Sequence, residues 1–93
     1  MPPATREEAE ILLKRVRDWK LSDDGKSISK EFKFKNFAEA LAFGNKVGAV
    51  AEEEGHHPDL YVGWGKARVE LTTHAIKGLS ENDFILAAKI DAL

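Results

Sequence analysis

The sequence predicts an α+β fold of two layers, a four-stranded antiparallel sheet with helices packed on one face, in the order helix, two strands, helix, two strands, helix. Two observations predict it. Segments with apolar residues at helical spacing alternate with short segments in which apolar and polar residues alternate, and glycine-containing turns join the strands in pairs. A chain of 93 residues, 43% of them hydrophobic, has room for one small folded domain, predicted to span residues 1–93.

The first helix is predicted to begin at Thr5, because Thr5 and Glu8 have the spacing of a capping box. Leu12, Val16 and Trp19 follow at positions i, i+4 and i+7, so they form one apolar stripe of this helix.

The first pair of strands is predicted around Asp24-Gly25, a dipeptide typical of a tight turn. In the second strand Ile28, Phe32 and Phe34 share one face and polar residues share the other. This alternation is typical of a half-buried strand.

The second helix is predicted to begin at Asn36, with Glu39 three residues on, and to end at Gly55, which suits a left-handed cap. Gly44 and Gly48 lie inside it. Because each glycine costs a helix about 1 kcal/mol relative to alanine, we expect another part of the protein to pack closely against both.

The second pair of strands contains alternating apolar residues, namely Leu60, Val62 and Trp64, then Ala67, Val69 and Leu71. The last helix is predicted to begin at Ser80 with a capping box that ends at Asp83. It is apolar around most of its circumference, which indicates that it also contacts another subunit.

Composition excludes several classes of protein. The net charge is −2 with scattered Lys and Arg, so no basic surface for nucleic acid is expected. The chain has no cysteine, which excludes disulfides, thiolate metal sites and a cysteine nucleophile. Neither a signal peptide nor an apolar run of about 20 residues is present, so no membrane contact is expected and the predicted location is cytoplasmic.

All three histidines lie in the segment "EEEGHHPDLYVGWGKARVELTTHAIKGLSEND". If the hairpin turn is Gly65-Lys66, His57 lies opposite His74; if a three-residue turn is centred on Gly65, His56 lies opposite His74. A bulge would shift the register by one residue. In each case we expect the three imidazoles to meet at one end of the sheet.

Three interpretations of such a cluster differ in their chemistry. Imidazole has an ordinary pKa of about 6.5 and exchanges protons near neutral pH, which favours acid–base catalysis. A metal site is disfavoured, because His56 and His57 are adjacent and point to opposite sides of an extended chain. The histidines could also be unrelated polar residues. Asp83 has two readings that are compatible, a helix cap and a carboxylate beside the cluster.

The spacing of these residues resembles that of a known family. Glu52 is followed after three residues by His56-His57-Pro58, after five more by Trp64, after nine by His74 and after eight by Asp83. This pattern looks like that of the pterin-4a-carbinolamine dehydratases, and the likeness extends from Trp19 to Leu93. Two positions depart from what many relatives carry: Gly55 replaces a polar residue, and Lys77 replaces a glycine.

The resemblance implies an activity and an assembly. Members of the family dehydrate 4a-hydroxytetrahydropterin to quinonoid dihydropterin, which recycles tetrahydrobiopterin for aromatic amino acid hydroxylases. No metal and no organic cofactor takes part. The expected assembly is a homodimer or homotetramer that binds a small pterin substrate.

The resemblance also implies roles for individual residues. His56 and His74 would act as acid and base, and His57 would bind and orient the pterin. The full expected set is: catalytic, His56, His57 and His74; substrate-binding, His56, His57, Pro58, Thr73, His74, Ala75 and Ile76; supporting, Glu52, Asp83 and Trp64. Two alternatives remain at this point, a non-enzymatic dimerisation module of the coactivator type and a metal-dependent hydrolase.

Overall fold

The computed structural model describes residues 2–93. Its elements are α1 (Arg6–Leu13), β1 (Lys20–Leu21), β2 (Ile28–Lys33), α2 (Phe37–Glu54), β3 (Asp59–Gly63), β4 (Lys66–Leu71), a short 3₁₀ helix (His74–Ile76) and α3 (Glu81–Asp91). The strands form one antiparallel sheet in the order β1-β2-β4-β3. The predicted fold class and element order are confirmed.

The hydrophobic core lies between one face of this sheet and the helices. Both central strands contribute fully buried side chains, Ile28 from β2 and Val69 and Leu71 from β4. They pack with buried residues of α2 and α3, namely Val47, Phe84, Leu86, Ala87 and Ile90. Most of the apolar circumference of α3 is therefore covered by the core of its own chain, although Ile85 remains 45% exposed.

No helix within residues 2–93 is long and apolar enough to cross a membrane.

The first helix is shorter than its apolar stripe predicts. It ends at Leu13, so Val16 and Trp19 lie beyond it. The chain turns at Asp18, which has a left-handed φ of 60°. Trp19 is buried after this turn, and its indole Nε1–H donates to Asp91 at the end of α3. The spacing of Val16 and Trp19 predicts a longer helix, but the tertiary contact of Trp19 with Asp91 replaces that path.

The two glycines of α2 differ in their surroundings. A Cβ at Gly44 would lie 2.9 Å from Cγ2 of Val62, which confirms the predicted close packing at this position. At Gly48 no atom of the described residues outside the local helix backbone lies within 4 Å of such an atom, so the same prediction is wrong there.

The hairpin register also differs from both predicted versions. Gly63 pairs with Lys66, which makes Trp64-Gly65 a two-residue loop, with Gly65 at a φ of 75°. The predicted direct pairing of His74 with His57 or His56 is therefore wrong. Strand β4 ends at Leu71, and His74 lies beyond it in the short 3₁₀ helix.

Candidate active site

The carboxylate of Asp83 is the centre of the candidate site. Asp83 is the third residue of α3 and its side chain is completely buried. The backbone N–H of Ser80 donates to Oδ2 of Asp83 at 3.0 Å, which is one half of the predicted capping box. Capping therefore explains one of the two carboxylate oxygens. The other oxygen, Oδ1, faces a histidine.

That histidine is His56, whose Nε2 lies 2.5 Å from Oδ1 of Asp83. Helix α2 positions it, because the helix ends at Glu54, its cap Gly55 has a left-handed φ of 64°, and the N–H of His56 then bonds back to the carbonyl of Ala51 at 3.1 Å. The glycine thus allows the chain to reverse immediately before His56, and the imidazole reaches α3. Its side chain is 17% exposed.

The tautomer of His56 follows from which atoms of this pair can donate a hydrogen bond and which can accept one. An ionised carboxylate can only accept hydrogen bonds, so opposite ionised Asp83 it is Nε2 of His56 that carries the proton and donates. Nδ1 of His56 makes no hydrogen bond to any of residues 2–93. A neutral His56 in this tautomer therefore has a free lone pair on Nδ1 and can accept a proton there.

A third group reaches the carboxylate from the loop that follows β4. The hydroxyl of Thr73 donates to Oδ2 of Asp83 at 2.8 Å. Two backbone hydrogen bonds close this loop, from Thr73 N–H to the carbonyl of Gly78 at 2.9 Å and from Gly78 N–H to the carbonyl of Thr73 at 3.4 Å. These bonds bring Thr73 to the beginning of α3, and the 3₁₀ helix lies in the loop between Thr73 and Gly78.

His57 points away from Asp83, as expected for adjacent residues in an extended chain. Its Nε2 bonds to a carboxylate oxygen of Glu52. The two side chains are 63% and 75% exposed, so this ion pair lies at the surface. Glu52 therefore orients His57 and Asp83 orients His56. The sequence left the assignment of these two carboxylates open.

His74 begins the 3₁₀ helix and is exposed. The ring of His74 makes no hydrogen bond to another side chain within residues 2–93. Its connection to His56 is indirect, because the neighbouring Thr73 bonds Asp83 and Asp83 bonds His56. Ala75 is exposed and Ile76 is half-buried in the same short segment. The predicted meeting of all three imidazoles stays a prediction.

Trp64 lies away from His56 and Asp83 within one chain, and its expected supporting role stays a prediction. It lies in the hairpin loop and is 75% exposed, so it does not pack on the sheet either. The five residues of β3 separate it from Pro58, which is half-buried beside the histidine pair. At about 3.3 Å per residue, that strand spans roughly 16 Å.

Two hydroxyl groups belong to the site and were not predicted as such. Oγ of Ser80 lies 2.8 Å from Oγ1 of Thr73, which in turn bonds Asp83. The capping-box spacing of Ser80 and Asp83 was a usable signal for one of them. Nothing in the sequence indicated the side chain of Thr73, for which only backbone contacts were expected. Within residues 2–93 no group of three or more His, Asp or Glu side chains is arranged to hold a metal ion.

The sequence matches a family model described as pterin 4 alpha carbinolamine dehydratase over residues 2–93. A relative from Methylococcus capsulatus, named "Putative pterin-4-alpha-carbinolamine dehydratase", is 56% identical over 93 residues, which are 100% of this chain and 82% of the relative.

Two solved structures are similar in fold. One, from Brucella melitensis and described as a transcriptional coactivator/pterin dehydratase, has a TM-score of 0.89 and 31% identity, covering 97% of this chain and 96% of its own. The other, described as a pterin dehydratase-like protein that is a RuBisCO assembly factor in the alpha-carboxysome, has a TM-score of 0.69 and 25% identity, covering 84% and 90%. Since the family model matches residues 2–93 and a relative is 56% identical over the whole chain, the chain belongs to the pterin 4 alpha carbinolamine dehydratase family.

Proposed function

We propose that the protein dehydrates 4a-hydroxytetrahydropterin to quinonoid dihydropterin and water, and so takes part in tetrahydrobiopterin recycling. The observation that carries the proposal is the contact between His56 and the buried Asp83. A partly exposed imidazole backed by a buried carboxylate is the arrangement that enzymes use to orient an acid–base histidine. Membership of the family supplies the substrate class.

The reaction needs two proton transfers and no redox step. The C4a–O bond breaks and its electrons leave with the oxygen, which takes one proton and departs as water. N5 loses its proton, and the N5 lone pair forms the double bond to C4a. Because the nitrogen already assists departure of the hydroxyl, groups that exchange protons near neutral pH are sufficient for catalysis.

His56 is suited to one of these transfers. Its Nε2–H is held by Asp83, and Nδ1 is the nitrogen that has no hydrogen-bond partner in the part of the chain that the structure describes. The ionised carboxylate stabilises the imidazolium that forms when Nδ1 takes a proton, as in other histidine–carboxylate pairs. His74, exposed on the 3₁₀ helix, is the proposed partner for the second transfer.

The remaining residues of the proposed site bind the pterin. His57, held by Glu52 at the surface, would orient the ring system together with Pro58. The segment from Thr73 to Ile76 would contact the pterin through its backbone, since part of it lies outside the β ladder. In this proposal the protein works without a metal or organic cofactor, as a homodimer or homotetramer.

A second candidate is a non-enzymatic interaction module. The related structures described as a coactivator and as an assembly factor favour it. Phe37 and Leu41 on α2, 45% and 43% exposed, would give such a module an apolar surface. An interaction module does not need the His56–Asp83 pair, however, so variants of these two residues separate the two functions.

The direct test is a stopped-flow assay in which purified protein is mixed with freshly generated 4a-hydroxytetrahydropterin. We expect loss of the carbinolamine absorbance to accelerate in proportion to protein concentration, with the same rate in the presence of a chelator. No acceleration would contradict the proposal. Loss of the acceleration with chelator would instead favour the metal-dependent alternative.

A further inference from the structure

We propose that Thr73 is a positioning residue whose side-chain hydroxyl, backed by Ser80, holds the Asp83 carboxylate in the orientation that His56 requires. This inference rests on the proposed dehydratase function. It concerns the side chain of Thr73, which is distinct from the backbone contacts that the segment would make with the pterin.

The direction of the hydrogen bonds in this group is fixed by the carboxylate. Asp83 can only accept, so the single hydroxyl proton of Thr73 goes to Oδ2 at 2.8 Å. Oγ1 of Thr73 must then accept from Ser80, whose Oγ lies 2.8 Å away. The result is a directed chain from the Ser80 hydroxyl through the Thr73 hydroxyl to the carboxylate, and hydrogen bonds in such chains polarise one another.

This chain of hydrogen bonds gives the two oxygens of Asp83 different partners. Among residues 2–93, Oδ2 receives the Thr73 hydroxyl and the Ser80 N–H, while Oδ1 receives only Nε2 of His56. The two donors therefore fix the plane of the carboxylate. Removing the Thr73 hydroxyl leaves Oδ2 with one donor in a completely buried position, where an unmet acceptor is costly. We expect the carboxylate to rotate and the His56 contact to loosen.

Thr73 also connects two parts of the proposed site. It directly precedes His74, and its N–H and C=O close the loop with Gly78. One residue thus fixes both the segment that would carry the second acid–base group and the carboxylate that orients the first. A displacement of about 1 Å between such groups can cost roughly a hundredfold in rate.

The experiment compares Thr73→Val, which is nearly isosteric but lacks the hydroxyl, with Thr73→Ser, which keeps it. We expect T73V to lower kcat roughly ten- to hundredfold with a smaller change in KM, and T73S to stay near the wild-type value. The matched control is Thr72→Val, since the Thr72 hydroxyl donates to the carbonyl of Lys26 at 2.6 Å and lies 3.4 Å from the carbonyl of Gly78, but bonds neither Asp83 nor Ser80. T72V should leave kcat unchanged. Should T73V unfold, Thr73→Ala carries the same test.

A second readout does not depend on turnover. Imidazole nitrogen chemical shifts report the tautomer of His56, which we expect to be the Nε2–H form in wild type and T73S and a mixture in T73V. A wild-type kcat or an unchanged tautomer in T73V would overturn the inference, as would a T73S variant as slow as T73V. An inactive wild type would instead contradict the dehydratase proposal, while the tautomer measurement would still decide the role of Thr73.

Discussion

Nε2 of His56 lies 2.5 Å from Oδ1 of Asp83, and this contact joins the residue that follows the cap of the second helix to the first turn of the last helix. The carboxylate is completely buried and the imidazole is partly exposed. The carboxylate that orients the ring therefore lies inside the protein, and the imidazole that would exchange protons reaches the solvent.

Substitution of the adjacent histidines should separate binding from chemistry. We expect His56→Ala to lower kcat roughly a hundredfold or more, because it removes the ring that Asp83 orients. His57→Ala should chiefly raise KM, since that ring pairs with exposed Glu52 and would orient the substrate. Steady-state kinetics of both variants measure the split. A large loss of kcat in H57A with near-normal H56A would reverse the two roles.

Lys77→Gly should stabilise the fold. Lys77 has a left-handed φ of 55°, which a residue with a Cβ adopts at a cost of about 1–2 kcal/mol. Glycine relieves that strain but loses more backbone entropy on folding, so we expect a net gain of about 1 kcal/mol in the free energy of unfolding. Denaturant titration measures it. Lys77→Ala is the control, because it removes the charge and keeps the strain; an equal gain there would assign the effect to charge.

The two glycines of the second helix should respond to alanine in opposite directions. Gly44→Ala places a methyl group 2.9 Å from Cγ2 of Val62, and such overpacking costs about 1–3 kcal/mol. Gly48→Ala meets no atom of residues 2–93 within 4 Å beyond the local helix backbone and should gain up to about 1 kcal/mol from helix propensity. Chemical denaturation of the two variants provides the comparison. Stabilisation by G44A would disprove the close packing on β3.

The turn between β1 and β2 should weaken in acid. The Ser22 hydroxyl, followed by the backbone N–H of Lys26, holds the pKa of the Asp24 carboxyl below its ordinary value. Because the folded pKa is the lower one, Asp24 contributes stability above its unfolded pKa of about 4, and this contribution is lost as the pH falls through the folded value.

The measurement for Asp24 is the difference in free energy of unfolding between wild type and Asp24→Asn at two pH values. We expect wild type to be the more stable protein at about pH 7 and the difference to shrink near about pH 2. A difference that stays constant over this range would show that ionisation of Asp24 does not contribute.

Local signals predicted much of the fold because the groups involved are close in sequence. The capping boxes at Thr5 and Ser80 and the left-handed cap at Gly55 each depend on residues within about one helical turn. Alternation likewise placed Ile28 and Val69 on the buried face of the sheet. These features needed no knowledge of the tertiary structure.

The predictions that were wrong concern features that depend on contacts between residues distant in sequence, or on a choice among turns that the sequence favours equally. The end of α1 depends on Trp19 reaching Asp91, 72 residues away. The hairpin could turn at several places near its two glycines, and a change of one residue moves every pair. Thr73 reaches Asp83 only because the loop closes on Gly78, and no local pattern encodes that closure.

The central claim, that Asp83 acts on the reaction through His56, is tested most directly by a double-mutant cycle on kcat. His56→Ala, Asp83→Asn and the double variant are compared with wild type, and thermal melts verify that each is folded. We expect D83N to slow the wild-type enzyme at least tenfold, because the carboxylate holds the imidazole in the required tautomer, and to slow H56A hardly at all. If D83N slowed the two backgrounds by the same factor, the residues would act independently and the claim would be contradicted.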